Sequence, residues 1–210
     1  LPVVVRQFVE RLEGLSGKYL FAVANYGGAG GVSLPTLKRI ITRGGGRLAA
    51  TYGLHMPQNA FPKPWENKDK LIENAEAKLD LIAQNTRDRA VGINHSSLLD
   101  RAMIRLHPRL APLIQKDLTK KSGLPTESDL DDHIRHIDNT FHSNGRCTGC
   151  GLCANVCPVG NIELQNGHPA WLHRCENCLA CYNWCPVHAI EGDIARKNFF
   201  YRNPKVGAGD

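Results

Sequence analysis

The chain has 210 residues, 42% of them hydrophobic and 22% charged, which suits one generous domain or two small ones. That balance excludes wholesale disorder, and no apolar run approaches the roughly 20 residues a membrane-spanning helix needs. The net charge of +6 is modest, and Lys and Arg alternate with Asp and Glu between 66 and 138, so a nucleic-acid partner is not expected.

The chain opens Leu1-Pro2-Val3, without Met and without the basic, apolar, small-residue order of a signal peptide. It reads as a fragment or a processed product. Val4, Val5, Phe8, Val9 and Leu12 recur at helical spacing up to Gly14. The run Tyr19-Leu-Phe-Ala-Val-Ala24 predicts a strand buried on both faces, followed by the Gly-rich stretch Asn25–Gly31. Ser33 is placed to cap a helix through Arg43, with Leu34, Leu37, Ile40 and Ile41 on one face. Gly44, Gly45 and Gly46 end it, and Arg47 to Leu54 predicts a second strand. Strand, glycine loop, helix and strand make a βαβ unit, so the local fold is α/β with a parallel sheet.

Pro57, Pro62 and Pro64 mark a loop. From Glu66 the pattern turns helical, with Leu71, Ile72, Ala75, Leu79 and Ile82 on one face. Leu99, Met103, Leu106, Leu110, Leu113 and Leu118 continue it, interrupted by Pro108 and Pro112. Leu130, Ile134, Ile137 and Phe141 form a third short face. His133 and His136 lie one turn apart there, but with no third ligand in view they read as exposed helix surface.

All eight cysteines lie between residues 147 and 185. Cys147, Cys150, Cys153 and Cys157 follow C-x2-C-x2-C-x3-C-P, completed by Pro158. Cys175, Cys178, Cys181 and Cys185 repeat the pattern with Pro186. Disulfides would not need such regular spacing, and zinc ribbons use separated C-x2-C pairs. The runs instead predict two 4Fe–4S clusters held by reduced thiolates, hence a reducing cytoplasm. In this pattern the fourth cysteine serves the other cluster. One set is then Cys147, Cys150, Cys153 and Cys185; the other is Cys175, Cys178, Cys181 and Cys157. Gly149 and Gly151 let the backbone curl around the sulfurs, and Pro158 and Pro186 fix its exit. Val156, Val159, Ile162, Leu164, Leu179, Ala180, Val187 and Ile190 are placed to exclude water.

On these residues, 141–192 resemble the two-cluster ferredoxin module of anaerobic bacteria and archaea, although Trp171, Tyr182 and Trp184 are additions to a minimal one. With Tyr19–Gly31 and Met56-Pro-Gln-Asn59, nearly the whole chain resembles a flavodoxin–ferredoxin fusion family. The resemblance implies a partial flavodoxin-like parallel sheet over 1–62, a helical connector over 63–140, a small α+β ferredoxin-like domain over 141–196 and a tail over 197–210. It also implies flavin contacts at Asn25, Tyr26, Gly27 and Gly28. The family's first strand and phosphate-binding loop would precede residue 1, so FMN is expected only in a longer parent protein. The function implied is single-electron transfer through two 4Fe–4S clusters, to or from a flavin or a redox partner protein, with mild attraction to acidic partners. An FMN-dependent oxidoreductase fed by its own clusters is the alternative, and a scaffold merely stapled by its clusters is a third reading. Membrane insertion is not expected.

Overall fold

The computed structural model describes residues 1–60, 66–95, 98–194 and 197–208, with the backbone alone at 98 and 99. Pro62, Pro64 and the Leu99 side chain therefore lie outside the described residues. The chain divides into two compact units, Leu1–Gln58 with Lys63–Leu110 and Asn59–Pro62 with Ala111–Asp210. The stretch read as a connector is thus shared between them. Among the described residues no helix is long and apolar enough to cross a membrane.

The first unit runs α1 (Val3–Glu10), β1 (Leu20–Tyr26), α2 (Ser33–Arg43), β2 (Leu48–His55), α3 (Lys68–Arg87) and β3 (Ile93–Asn94), then enters α4 (Leu98–Ser122). The three strands form one parallel sheet in the order β1-β2-β3, with Val23 opposite Tyr52 and Ala50 opposite Ile93. The predicted βαβ unit is present, but Ser33 is the first helical residue of α2 rather than its cap, which falls on Val32 without a side-chain bond. Leu34, Ile40 and Ile41 bury one face of α2, and Ile40 and Ile41 pack with Val9 and Leu15. Burying each such side chain contributes about 1.5–3 kcal/mol. Gly46 is required here: a Cβ on it would stand 2.9 Å from Leu15 Cβ. Across β2, Ile82 of α3 packs on Ala50, Tyr52 and Leu54. The Asn67 side chain caps α3 by accepting from Lys70 N at 3.0 Å.

Several expectations are corrected. β1 is not buried on both faces: Ala22 is inside, but Phe21 and Val23 are 42% and 41% exposed. The strand buried on both faces is β2, which has a neighbour on each side. On α1, Val3 and Val9 are buried while Val4, Val5 and Phe8 face out. On α3, Leu79 is exposed. α4 runs unbroken through Pro108 and Pro112. One turn apart, those prolines remove amide donors from one face of the helix and leave the other intact.

The second unit continues with α5 (Leu130–Arg135), a 3-10 turn (His136–Thr140), β4 (His142–Ser143), α6 (Leu152–Asn155), β5 (Ile162–Gln165), β6 (His168–Trp171), α7 (Ala180–Trp184) and β7 (Ile190–Glu191). β4 pairs with β7 and β5 with β6, both antiparallel. Asn166 and Gly167, both at positive φ, make the tight β5–β6 turn. The core gathers Phe141, Leu179, Tyr182, Cys185, Ala189 and Ile190. Leu164, expected to shield sulfur, is exposed, because β5 buries only Ile162. His133 is not on a helix surface either. It is fully buried, with Nδ1 2.7 Å from Ser122 Oγ, while His136 stacks on His173 with ring centroids 4.7 Å apart.

Candidate metal centre

The two cysteine runs fold into the same backbone. In the first, Gly149, Gly151 and Gly160 have φ of 68°, 75° and 57°; at the equivalent places of the second, Asn177, Leu179 and His188 have 54°, 59° and 49°. The left-handed region costs a residue with a Cβ about 1–2 kcal/mol, so the second run accepts strain that the first avoids. What the conformation delivers is visible at the sulfurs. Asn161 N donates to Cys157 Sγ and Ala189 N donates to Cys185 Sγ, each at 3.2 Å and each four residues beyond its cysteine. Asn177 N donates to Cys175 Sγ at 3.3 Å. Such N–H groups favour a thiolate and hold its direction.

The fourth cysteine of each run lies with the other run. Cys157 lines one chamber with Cys175, Cys178 and Cys181, closed by Phe141, Ile162, Trp171 and Leu179. Burial, and to a lesser degree the Cys157 sulfur, raises the thiols of both Cys175 and Cys178. Conversely, Cys153 is raised by burial and further by Cys150 and Cys185. Cys147, Cys153 and Cys185 belong to one apolar cluster, which also takes in Cys175 and Cys181.

Burial pushes the Cys175 thiol up to about 12, with Asp138 and the neighbouring sulfurs adding to it. Burial likewise pushes Cys181 well above the ordinary thiol range. Cys178 is exposed as a residue, yet its sulfur faces the chamber and burial raises it too. Apolar walls disfavour lone thiolates, so these sulfurs ionise when a cation arrives to share the charge. Among the described residues no three His, Cys, Asp or Glu groups converge closely enough to hold a single metal ion. Four thiols spread around one apolar chamber suit a larger, multi-iron group.

Sequence reasoning missed Asp138. Its carboxylate, fully buried, accepts from Asn161 Nδ2 at 2.8 Å, His173 N at 3.0 Å and His173 Nδ1 at 2.7 Å. Asn161 Oδ1 in turn accepts from Arg174 N. This knot fixes the chain on both sides of the chamber, just after Cys157 and just before Cys175. Asn59 adds an outer tie, donating from Nδ2 to Cys178 O at 3.1 Å.

Of the residues expected at a flavin, Asn25 and Tyr26 sit at the end of β1, and a Cβ on Gly27 would meet Gln58 Oε1 at 2.6 Å. Tyr26 stacks on His55, and its hydroxyl lies 3.0 Å from His95 Nε2, which approaches Asp100 Oδ2 at 3.3 Å. Asp100 also accepts from Gly31 N at 3.0 Å. The tyrosine is thus engaged with the chain's own side chains.

Residues 141–163 match the family model described as the 4Fe–4S binding domain. No curated protein and no solved structure matches the chain. The matched stretch contains the whole first run, from Cys147 to Cys157. It therefore supports a ferredoxin-type iron–sulfur module with a role in electron transfer.

Proposed function

We propose that the chain carries two 4Fe–4S clusters and passes electrons singly between redox partner proteins. Cys147, Cys150, Cys153 and Cys185 would hold one cluster, and Cys175, Cys178, Cys181 and Cys157 the other. The observation that carries this reading is the place of Cys157, in the chamber of the second run rather than beside its own. A 4Fe–4S cluster, once bound, takes up and gives back one electron at a time. The chain's part is to shield and tune. Leu179 and Ile190 exclude water, and the amides of Asn161, Asn177 and Ala189 offset negative charge on sulfur. The parallel sheet of the first unit is read as part of a flavodoxin-like domain on its β1–α2–β2 unit.

The test is iron and acid-labile sulfide analysis of anaerobically purified protein, with about eight of each per chain expected. Stoichiometric zinc without sulfide would overturn the proposal, and about four of each would reduce it to a single cluster.

A further inference from the structure

Trp171 closes β6 opposite Ile162, stacks on Phe141 with centroids 5.7 Å apart, and lines the chamber of Cys157, Cys175, Cys178 and Cys181. Its Nε1 is buried and has no hydrogen-bond partner. Cys181 Sγ is near enough for the indole to favour its thiolate, but the two are not in bonding geometry. A buried N–H without an acceptor costs about 1–3 kcal/mol, so such groups call for an explanation. Stacking on Phe141 does not supply one, since a phenylalanine would offer an aromatic face there without burying a donor.

Resting on the two-cluster reading above, we infer that the Trp171 indole donates its hydrogen bond to sulfur of the cluster held by Cys157, Cys175, Cys178 and Cys181, and so raises that cluster's reduction potential. The chamber is mostly apolar, with Asn161 and Glu176 its polar residues beside the sulfurs, and a cluster would bring electron-rich sulfur within reach of the indole. A donor to that sulfur stabilises the more negative, reduced state more than the oxidised one, and hydrogen bonds to sulfur are an established lever on potential. The first run has no tryptophan at the equivalent position, which is Ser143, the last residue of β4. The effect falls on one cluster alone, which separates the potentials of two otherwise similar sites.

The test uses the full chain with Trp171→Phe, which keeps an aromatic ring beside Phe141 and removes the donor together with part of the indole's volume. Redox titration followed by electron paramagnetic resonance should show one of two midpoints falling, by a tenfold change in the reduction equilibrium, or about 59 mV for one electron. The other midpoint should hold, and iron and sulfide should stay at about eight each. Two unmoved midpoints in a fully loaded variant would overturn the inference and leave the two-cluster reading intact. Unsubstituted protein lacking sulfide would overturn the reading itself. Should the variant fail to load, wild-type protein labelled with indole 15N gives a second readout. Pulsed resonance on the reduced protein should then detect a 15N coupling that persists when Trp65 and Trp184, the other two tryptophans, are both replaced by Phe; its absence counts against the assignment.

Discussion

Asp138 Oδ1 lies 2.7 Å from His173 Nδ1, and the carboxylate making that contact is entirely out of water while the imidazole is 45% exposed. The pair joins the 3-10 turn to the segment leading into Cys175. Asp138→Ala leaves Asn161 Nδ2 and His173 N without an acceptor in a buried place. Each buried donor left without an acceptor costs about 1–3 kcal/mol. Denaturant unfolding should show a loss of that size, with faster release of iron; a loss under about 1 kcal/mol would contradict the role given to this knot.

Cys157→Ala should damage the cluster built on Cys175, Cys178 and Cys181 and spare the one built on Cys147, Cys150 and Cys153. Cys185→Ala should do the reverse. Resonance spectra of the two reduced variants distinguish the clusters. Loss confined to a mutated cysteine's own run would show that the fourth ligands are not exchanged.

Gly149 and Gly151 both sit at positive φ, yet they should not respond alike. A Cβ at 151 meets only Leu164 Cδ1 at 3.6 Å, an ordinary contact, whereas one at 149 stands 2.8 Å from the backbone oxygen of Gly167. Gly151→Ala should therefore cost about 1–2 kcal/mol of backbone strain alone. Gly149→Ala should cost more, because the β5–β6 turn must also move. Thermal melts of the loaded variants give the order, and equal losses would count against it.

Burial holds Cys175 at about 12 against an ordinary value of 9.0, and raises Cys153, Cys178 and Cys181 as well. A thiol raised in the folded state contributes stability that is fully present below its unfolded value and is lost as pH rises through the folded one. Reduced, metal-free protein should thus lose stability between about pH 9 and pH 12. Cys175→Ser should flatten that slope; a wild-type profile flat up to pH 11 would argue against buried neutral thiols. Loading must expel the same protons, so it should speed up as pH rises from 7 to 9.

The cysteine runs were legible because ligand chemistry fixes both residue type and spacing, and little else produces that pattern. The backbone around them was legible only where glycine advertises positive φ. Gly149 and Gly151 declare themselves, but Asn177, Leu179 and His188 take the same conformation with nothing in their type to show it. Asp138 was invisible for a different reason: its partners Asn161 and His173 are distant in sequence and share no periodicity with it. The span and buried face of α2 followed from its apolar spacing, since Leu34, Ile40 and Ile41 decide both period and face, but its cap did not, because Ser33 begins the helix. β1 was over-read, because a run of apolar residues says nothing about whether each face is covered. β3 was not read at all, since two residues hold no pattern.

The arrangement that sets Cys157 among Cys175, Cys178 and Cys181 has a consequence for how the module comes into being. On the proposed ligand sets, a growing chain that has emerged only as far as the first run would hold three sulfurs of one set and one of the other, so no complete set would exist. The first set would close last, when Cys185 appears, and the other would need Cys181 to join a cysteine made much earlier. Synthesis runs at about 5–20 residues per second, so the whole interval is brief, and metal captured within it would meet an unfinished nest. A chain cut between the runs should retain neither set, whichever half is kept.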